Sequence, residues 1–198
     1  MKNLKFNSKI MNLFIDTISP KNALILCDDH STITHQYFFD VRLQESSRLI
    51  EEVDQFLKNV WIDYKTLKKI AVVNGPGSFT GVRTTVLLAN TMNYVIRWAM
   101  FALSYFDLFD SYPIVKSSSK RDVFLKKSSW SEIEIISNED LISYVTLNNI
   151  SQIYWDIGFE LEIERTAEVE YQKAVKKAFS SQALQKIEPL YLKKPNIS

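Results

Sequence analysis

Three of the chain's four glycines, Gly75, Gly77 and Gly81, crowd into one short stretch, NGPGSFTGVRTT, at residues 74–85. A strand that runs into a glycine-rich turn and then a helix is a natural anion site, because free backbone N–H groups and the positive helix end face the same point. The spacing fits neither familiar phosphate loop. No Lys-Ser/Thr follows the last glycine, as a P-loop needs, and G-x-G-x-x-x-G is one residue longer than the dinucleotide fingerprint. The other reading is structural: a turn that lets the strand enter the helix closely, with Ser78 or Thr80 as N-cap. Ser78 as a nucleophile would need a base, and neither histidine, His30 or His35, is near it in sequence. Those two are five apart, so on one strand they point to opposite faces and do not share a metal. Cys27 is the only cysteine, which excludes an internal disulfide or a cysteine-based zinc site. No catalytic, cofactor or metal residue is assigned on this basis. The pairs Asp28-Asp29 and Glu51-Glu52 read as a solvated turn and a helix face.

The elements that position the glycines follow from periodicity. Met11–Ile18, Lys21–Cys27 and Thr32–Val41 read as three strands of an antiparallel meander, with Asp28-Asp29 as a turn. Leu43, Ser46/Ser47, Ile50, Val53, Leu57 and Val60 recur at helical spacing. Lys69–Val73 is a short apolar strand. The glycine stretch follows, and then a helix from Phe79 to Trp98. Val82, Val86, Leu87, Leu88, Ala89, Met92, Val95 and Ile96 place apolar groups nearly all round that helix, so it must be covered on more than one face. Met100–Ser104 is a further strand. In the second half, Pro113–Val115, Arg121–Lys126, Glu132–Ile136, Ile153–Trp155 and Phe159–Ile163 are candidate strands. Asp140–Tyr144 starts a helix, Thr166–Phe179 is another that Ser181–Ile187 continues or restarts, and Pro189–Leu192 is extended. This organisation predicts an extension at residues 1–10, an N-terminal lobe at 11–108 and a smaller lobe at 109–198.

A chain of 198 residues with 46% hydrophobic residues can bury a useful core. The net charge of +1 does not favour direct, charge-driven binding of tRNA or DNA. The opening MKNLKFNSKI lacks the apolar core of a signal peptide. Residues 84–106 are apolar but interrupted by Asn90, Asn93 and Arg97, which favours a buried helix over a membrane span. These features predict a cytoplasmic protein without a membrane segment.

As a string, GPGSFTGVR resembles the TsaB (YeaZ) family of bacterial proteins for threonylcarbamoyladenosine modification of tRNA. MNLFIDT with Asp16-Thr17 looks like that family's opening strand, QESSRLIEEV like its first helix, FALSYFDLF like the piece after the second helix, and PLYLKKPNI like its C-terminal Y-L-R-x-P. The resemblance implies an α/β fold of the actin, Hsp70 and sugar-kinase type with two lobes, which the strand–helix order of residues 11–104 also suits. It implies a non-catalytic scaffold that dimerises, through its two N-lobe helices, with a TsaD-type catalytic subunit or with a second copy. A TsaE-type ATPase joins the assembly, and tRNA is engaged only indirectly. Ile50, Val53, Leu57, Thr80, Val82, Thr85, Leu88 and Met92 are the interface candidates. Kinases of this fold place a carboxylate such as Asp16 near magnesium and phosphate; the alternative is that Asp16 caps the adjacent turn. After Gly81 the chain has only Gly158, which leaves the second lobe without material for nucleotide loops. No cofactor is therefore expected. The departures are Thr85 and Thr91 where glycines are common, bulky Leu87 and Leu88, Ser46 in place of a histidine, and Lys120-Arg121-Asp122-Val123-Phe124 in place of R-G-E-V-Y. They predict a partner surface with compensating changes. Two other functions stay open: a small phosphotransferase of the same fold using Asp16 and the glycine turn, and a homodimeric interaction module without the tRNA role.

Overall fold

The computed structural model describes residues 10–40, 48–159, 161–165 and 169–192. They divide into two compact units. One holds the residues up to Tyr105 and those from Tyr171 onward; the other is Phe106–Glu170. The sequence puts a boundary between residues 108 and 109 and gives everything after it to the second lobe. The structure instead returns residues 171–192 to the first unit. Residues 1–9 and 41–47, including Ser46, lie outside the described residues.

The first unit is built on a five-stranded sheet. Its strands are β1 (Met11–Asp16), β2 (Asn22–Asp28), β3 (Ile33–Phe39), β4 (Leu67–Val73) and β5 (Ala99–Leu103), in the order β3-β2-β1-β4-β5. β1, β2 and β3 form the expected antiparallel meander, while β4 and β5 run parallel to β1. The link between β2 and β3 closes on Asp28, whose carboxylate accepts from the backbone N–H groups of His30 and Thr32 at 3.0 and 2.9 Å. β1 and β2 are buried along their whole length, as strands covered on both faces must be.

Helices supply that cover. In α1 (Arg48–Asn59) the buried Leu49, Val53, Phe56 and Leu57 make one stripe. Tyr37 of β3 stacks on Phe56, and Tyr37 lies in a cross-strand row with Leu24 and Ile15. α1 therefore covers that face. On the opposite face lie Phe14 and Phe101, met edge-on by Tyr171 and Phe179 of α4 (Tyr171–Ser180). The apolar spacing Tyr171, Ala174, Val175, Ala178 and Phe179 is what draws this late segment back to the first sheet. α2 (Phe79–Ile96) packs on β4, β5 and α1. It ends two residues earlier than expected, at Arg97 in the left-handed conformation with φ 64°.

The second unit has strands β6 (Ile114–Ser117), β7 (Asp122–Lys126), β8 (Ile133–Ser137), β9 (Gln152–Asp156) and β10 (Glu164–Arg165), in the order β10-β9-β6-β7-β8. α3 (Asn138–Leu147) packs on β7 and β8. The core is Val115, Val123, Leu125, Leu141, Val145, Ile153 and Trp155. On adjacent parallel strands, buried Lys116 pairs with Asp156 at 2.6 Å. Of the strand expected at 159–163, the described residues 159 and 161–163 are not in a strand, and a two-residue strand, β10, follows them. Nor does Ser181–Ile187 continue a helix: it runs as a strap over the first unit, bridging to β5 through Leu184 and Met100.

Candidate functional site

The glycine turn leaves β4 at Asn74, whose backbone N–H donates to the Leu103 carbonyl at 2.9 Å. Gly75 has φ 128°, a conformation that residues with a Cβ rarely adopt. A Cβ there would also stand 2.6 Å from the carbonyl oxygen of Leu190. One at Gly77 would meet the Ile18 side chain at 2.8 Å. Two glycines thus permit close approach by other parts of this chain. Ser78 is the N-cap of α2, and its hydroxyl accepts from Gly81 N–H at 3.1 Å, the structural one of the two roles considered for it.

The strap lies against this turn. Leu190 N–H donates to the Asn74 carbonyl at 2.8 Å, and the Asn74 side-chain amide donates to the Glu188 carbonyl at 2.9 Å. About three turns along α2, Asn90 holds Ile187 twice, accepting its N–H at 3.0 Å and donating to its carbonyl at 2.9 Å. Sequence reasoning missed this use of the asparagines. The signal was there: a primary amide in an otherwise apolar helix needs a polar partner, and extended backbone offers both a donor and an acceptor.

Asp16 is fully buried. One carboxylate oxygen accepts from Ile18 N–H at 2.8 Å and Ser19 N–H at 3.0 Å, capping the turn. The other accepts from the Tyr171 hydroxyl at 2.9 Å. Burial, with the negative charge of Asp16 beside it, pushes the Tyr171 phenol well above its ordinary range. The capping role is the one the geometry carries, with α4 supplying a partner that the sequence did not reveal.

The interface candidates separate by burial. Val53, Leu57, Val82, Thr85 and Leu88 are buried inside the chain. Ile50 and Thr80 are exposed and Met92 is half-buried. The outward stripe of α2 instead runs through Leu87, Tyr94 and Val95, which are 68%, 79% and 67% exposed. Adjacent leucines sit about 100° apart on a helix, so sequence alone does not choose between Leu87 and Leu88. Val82, Val86 and Ala89 fix the inner face, and Leu88 falls on its side. Thr85 also turns inward. Its hydroxyl bonds to that of Thr17 at 2.6 Å and donates to the Gly81 carbonyl at 3.1 Å, so this departure is accommodated within the chain rather than at a partner.

At the start of α2, Arg83 stacks over the ring of Phe79, with its central carbon 3.7 Å from the ring centroid. Its Nε donates to the Tyr191 hydroxyl at 2.9 Å, and Tyr191 stacks on Phe79 with centroids 5.2 Å apart. Elsewhere, His30 and His35 are both exposed, on the β2–β3 turn and on β3. Among the described residues no group of three or more His, Cys, Asp or Glu is placed to hold a metal ion. Burial pushes the Cys27 thiol up to about 12, with Asp28 adding to the shift. Among the described residues no helix is long and apolar enough to cross a membrane.

Comparison with known proteins converges on one fold. Residues 42–105, which hold α1, β4, the glycine turn, α2 and β5, match the family model of TsaD, tRNA N6-adenosine threonylcarbamoyltransferase. YeaZ from Pseudomonas aeruginosa superposes with a TM-score of 0.51 at 16% identity, covering 65% of this chain and 65% of that one. An uncharacterized protein with similarity to peptidase YEAZ from Pseudomonas aeruginosa superposes with a TM-score of 0.66 at 13% identity, covering 92% of this chain and 99% of that one. No curated protein matches the sequence. The chain has the two-lobed α/β fold of these YeaZ structures.

Proposed function

We propose, from a YeaZ-type fold whose α1-to-β5 segment matches the TsaD family, that this chain is a non-catalytic scaffold in threonylcarbamoyladenosine modification of tRNA. It pairs through α1 and α2 with a TsaD-type subunit, which transfers the threonylcarbamoyl group to adenosine. A TsaE-type ATPase joins that assembly in the cytoplasm, and tRNA meets this chain only indirectly. The observation that carries the reading is the stripe of Leu87, Tyr94 and Val95 on α2, apolar and open to solvent. An exposed apolar strip on a well-capped helix is the ordinary signature of a protein–protein contact. The state of the glycine turn supports a non-catalytic role. The strap bonds to Asn74 at the head of the turn, and both Asp16 oxygens accept hydrogen bonds from within the chain, so the carboxylate that kinases of this fold place near magnesium is already engaged.

The test is co-purification with the TsaD-type protein of the same organism, read by size exclusion with light scattering. A 1:1 complex that Leu87→Asp abolishes supports the scaffold. No complex at micromolar concentrations sinks it; a homodimer alone then favours the interaction module, and magnesium-ATP turnover by the isolated chain favours the phosphotransferase.

A further inference from the structure

Resting on that pairing, we infer that Arg83 is the charged anchor of the partner surface and takes a carboxylate presented by the TsaD-type subunit. Arg83 is the only charged residue among the 18 of α2, and the first turn holds no acidic residue to balance it. Long helical side chains lean back toward the N-terminus, which brings the guanidinium over the first turn, where the helix end is already positive. Two contacts hold it there against that repulsion. The Phe79 ring lies under its plane, and the Tyr191 hydroxyl takes Nε. Among the described residues no carboxylate pairs with it, and none accepts a hydrogen bond from its two terminal amino groups. A guanidinium fixed by stacking and one hydrogen bond has already lost most of its rotamer freedom, and its remaining fork matches a carboxylate in two-pronged geometry.

Its place in the fold says which carboxylate. Leu87 is one turn further on the same side, followed by Thr91 and then Tyr94, so the anchor and the apolar stripe form one continuous row about 16 Å long. A partner must therefore offer an acidic side chain at one end of an apolar strip. A TsaD-type protein carries a segment of the same kind as residues 42–105, so like helix pairs can meet about a pseudo-twofold axis. Tyr191 is a positioning residue. It arrives on the strap and ties the C-terminal segment to partner recognition.

Titration calorimetry of the full chain with the purified TsaD-type subunit, at low and high salt, tests this. Leu87→Asp reports on the pairing itself. Given a wild-type complex, Arg83→Gln should weaken it by about tenfold or more and flatten its salt dependence, with thermal stability little changed. Arg83→Lys should recover only part of the affinity, because the fork is lost. Tyr191→Phe keeps the ring stack and should cost a smaller factor, again with a shallower salt slope. A wild-type complex whose affinity and salt slope are untouched by Arg83→Gln overturns the anchor while leaving the scaffold standing. Loss confined to self-association of this chain also overturns it, since the carboxylate would then belong to a second copy. No wild-type complex would bring down both readings.

Discussion

Gly75 has a left-handed backbone and a neighbouring carbonyl where a side chain would begin. Gly75→Ala must strain the turn or push the strap away, and should lower the unfolding free energy by about 2–3 kcal/mol in urea titrations. Tyr171→Phe removes the buried donor to Asp16 and should cost about 1–3 kcal/mol in the same assay. Cys27 gives a pH test. Its folded pKa, about 12, lies above the ordinary 9.0 of an unfolded thiol. Its contribution is therefore complete below pH 9.0 and is lost as the pH rises toward 12. Cys27→Ala should flatten that part of the alkaline stability curve, measured by denaturant midpoints. Tyrosine Tyr171 has the same sign, and its contribution fades only above the ordinary tyrosine value of 10.0. Much at this scale is open to sequence reading: the cap at Ser78 and the turn at Asp16 follow from local chemistry. The Tyr171 partner to Asp16 was not, because a contact 155 residues apart leaves no local trace.

Among the elements, strands and helices of the first unit were legible because their apolar periods are long and uniform. α2 shows the limit of that method. With apolar groups nearly all round, the period identifies a helix but not its rotation: the spacing predicts Leu88 on the outer face, and Leu87 stands there. For the strap, sequence predicts a continued or restarted helix over Ser181–Ile187 and extended chain over Pro189–Leu192, since no period marks a segment held by its backbone rather than its side chains. Its main clamp is Asn90. Asn90→Leu removes both bonds to Ile187 and should cost about 1–3 kcal/mol. The amides of Ile187 and Leu190 should lose hydrogen-exchange protection, while β1 keeps its own. Equal protection at Leu190 in the variant would show that Asn74 holds the strap alone.

At the scale of the molecule, the element order and the family resemblance predict two lobes that divide after residue 108; the structure divides after Tyr105 and returns the residues from Tyr171 onward to the first unit. Charge and hydrophobic content do not record such a return; only the apolar stripe of α4, matched to Phe14 and Phe101, explains it. A chain stopped at residue 170 should therefore fail to fold its first unit, with dispersed amide signals confined to residues 106–170. The same discontinuity sets an order of events during synthesis. Domains of a nascent chain tend to fold as they emerge, N-terminal part first. Here the second unit is contiguous and can close as soon as it leaves the ribosome, whereas the sheet made before it waits for α4. Stalled nascent chains of increasing length should gain protease protection over 106–170 before 10–105. Until α4 has emerged, the first sheet keeps one apolar face bare, and that interval is where a nascent-chain chaperone would be needed.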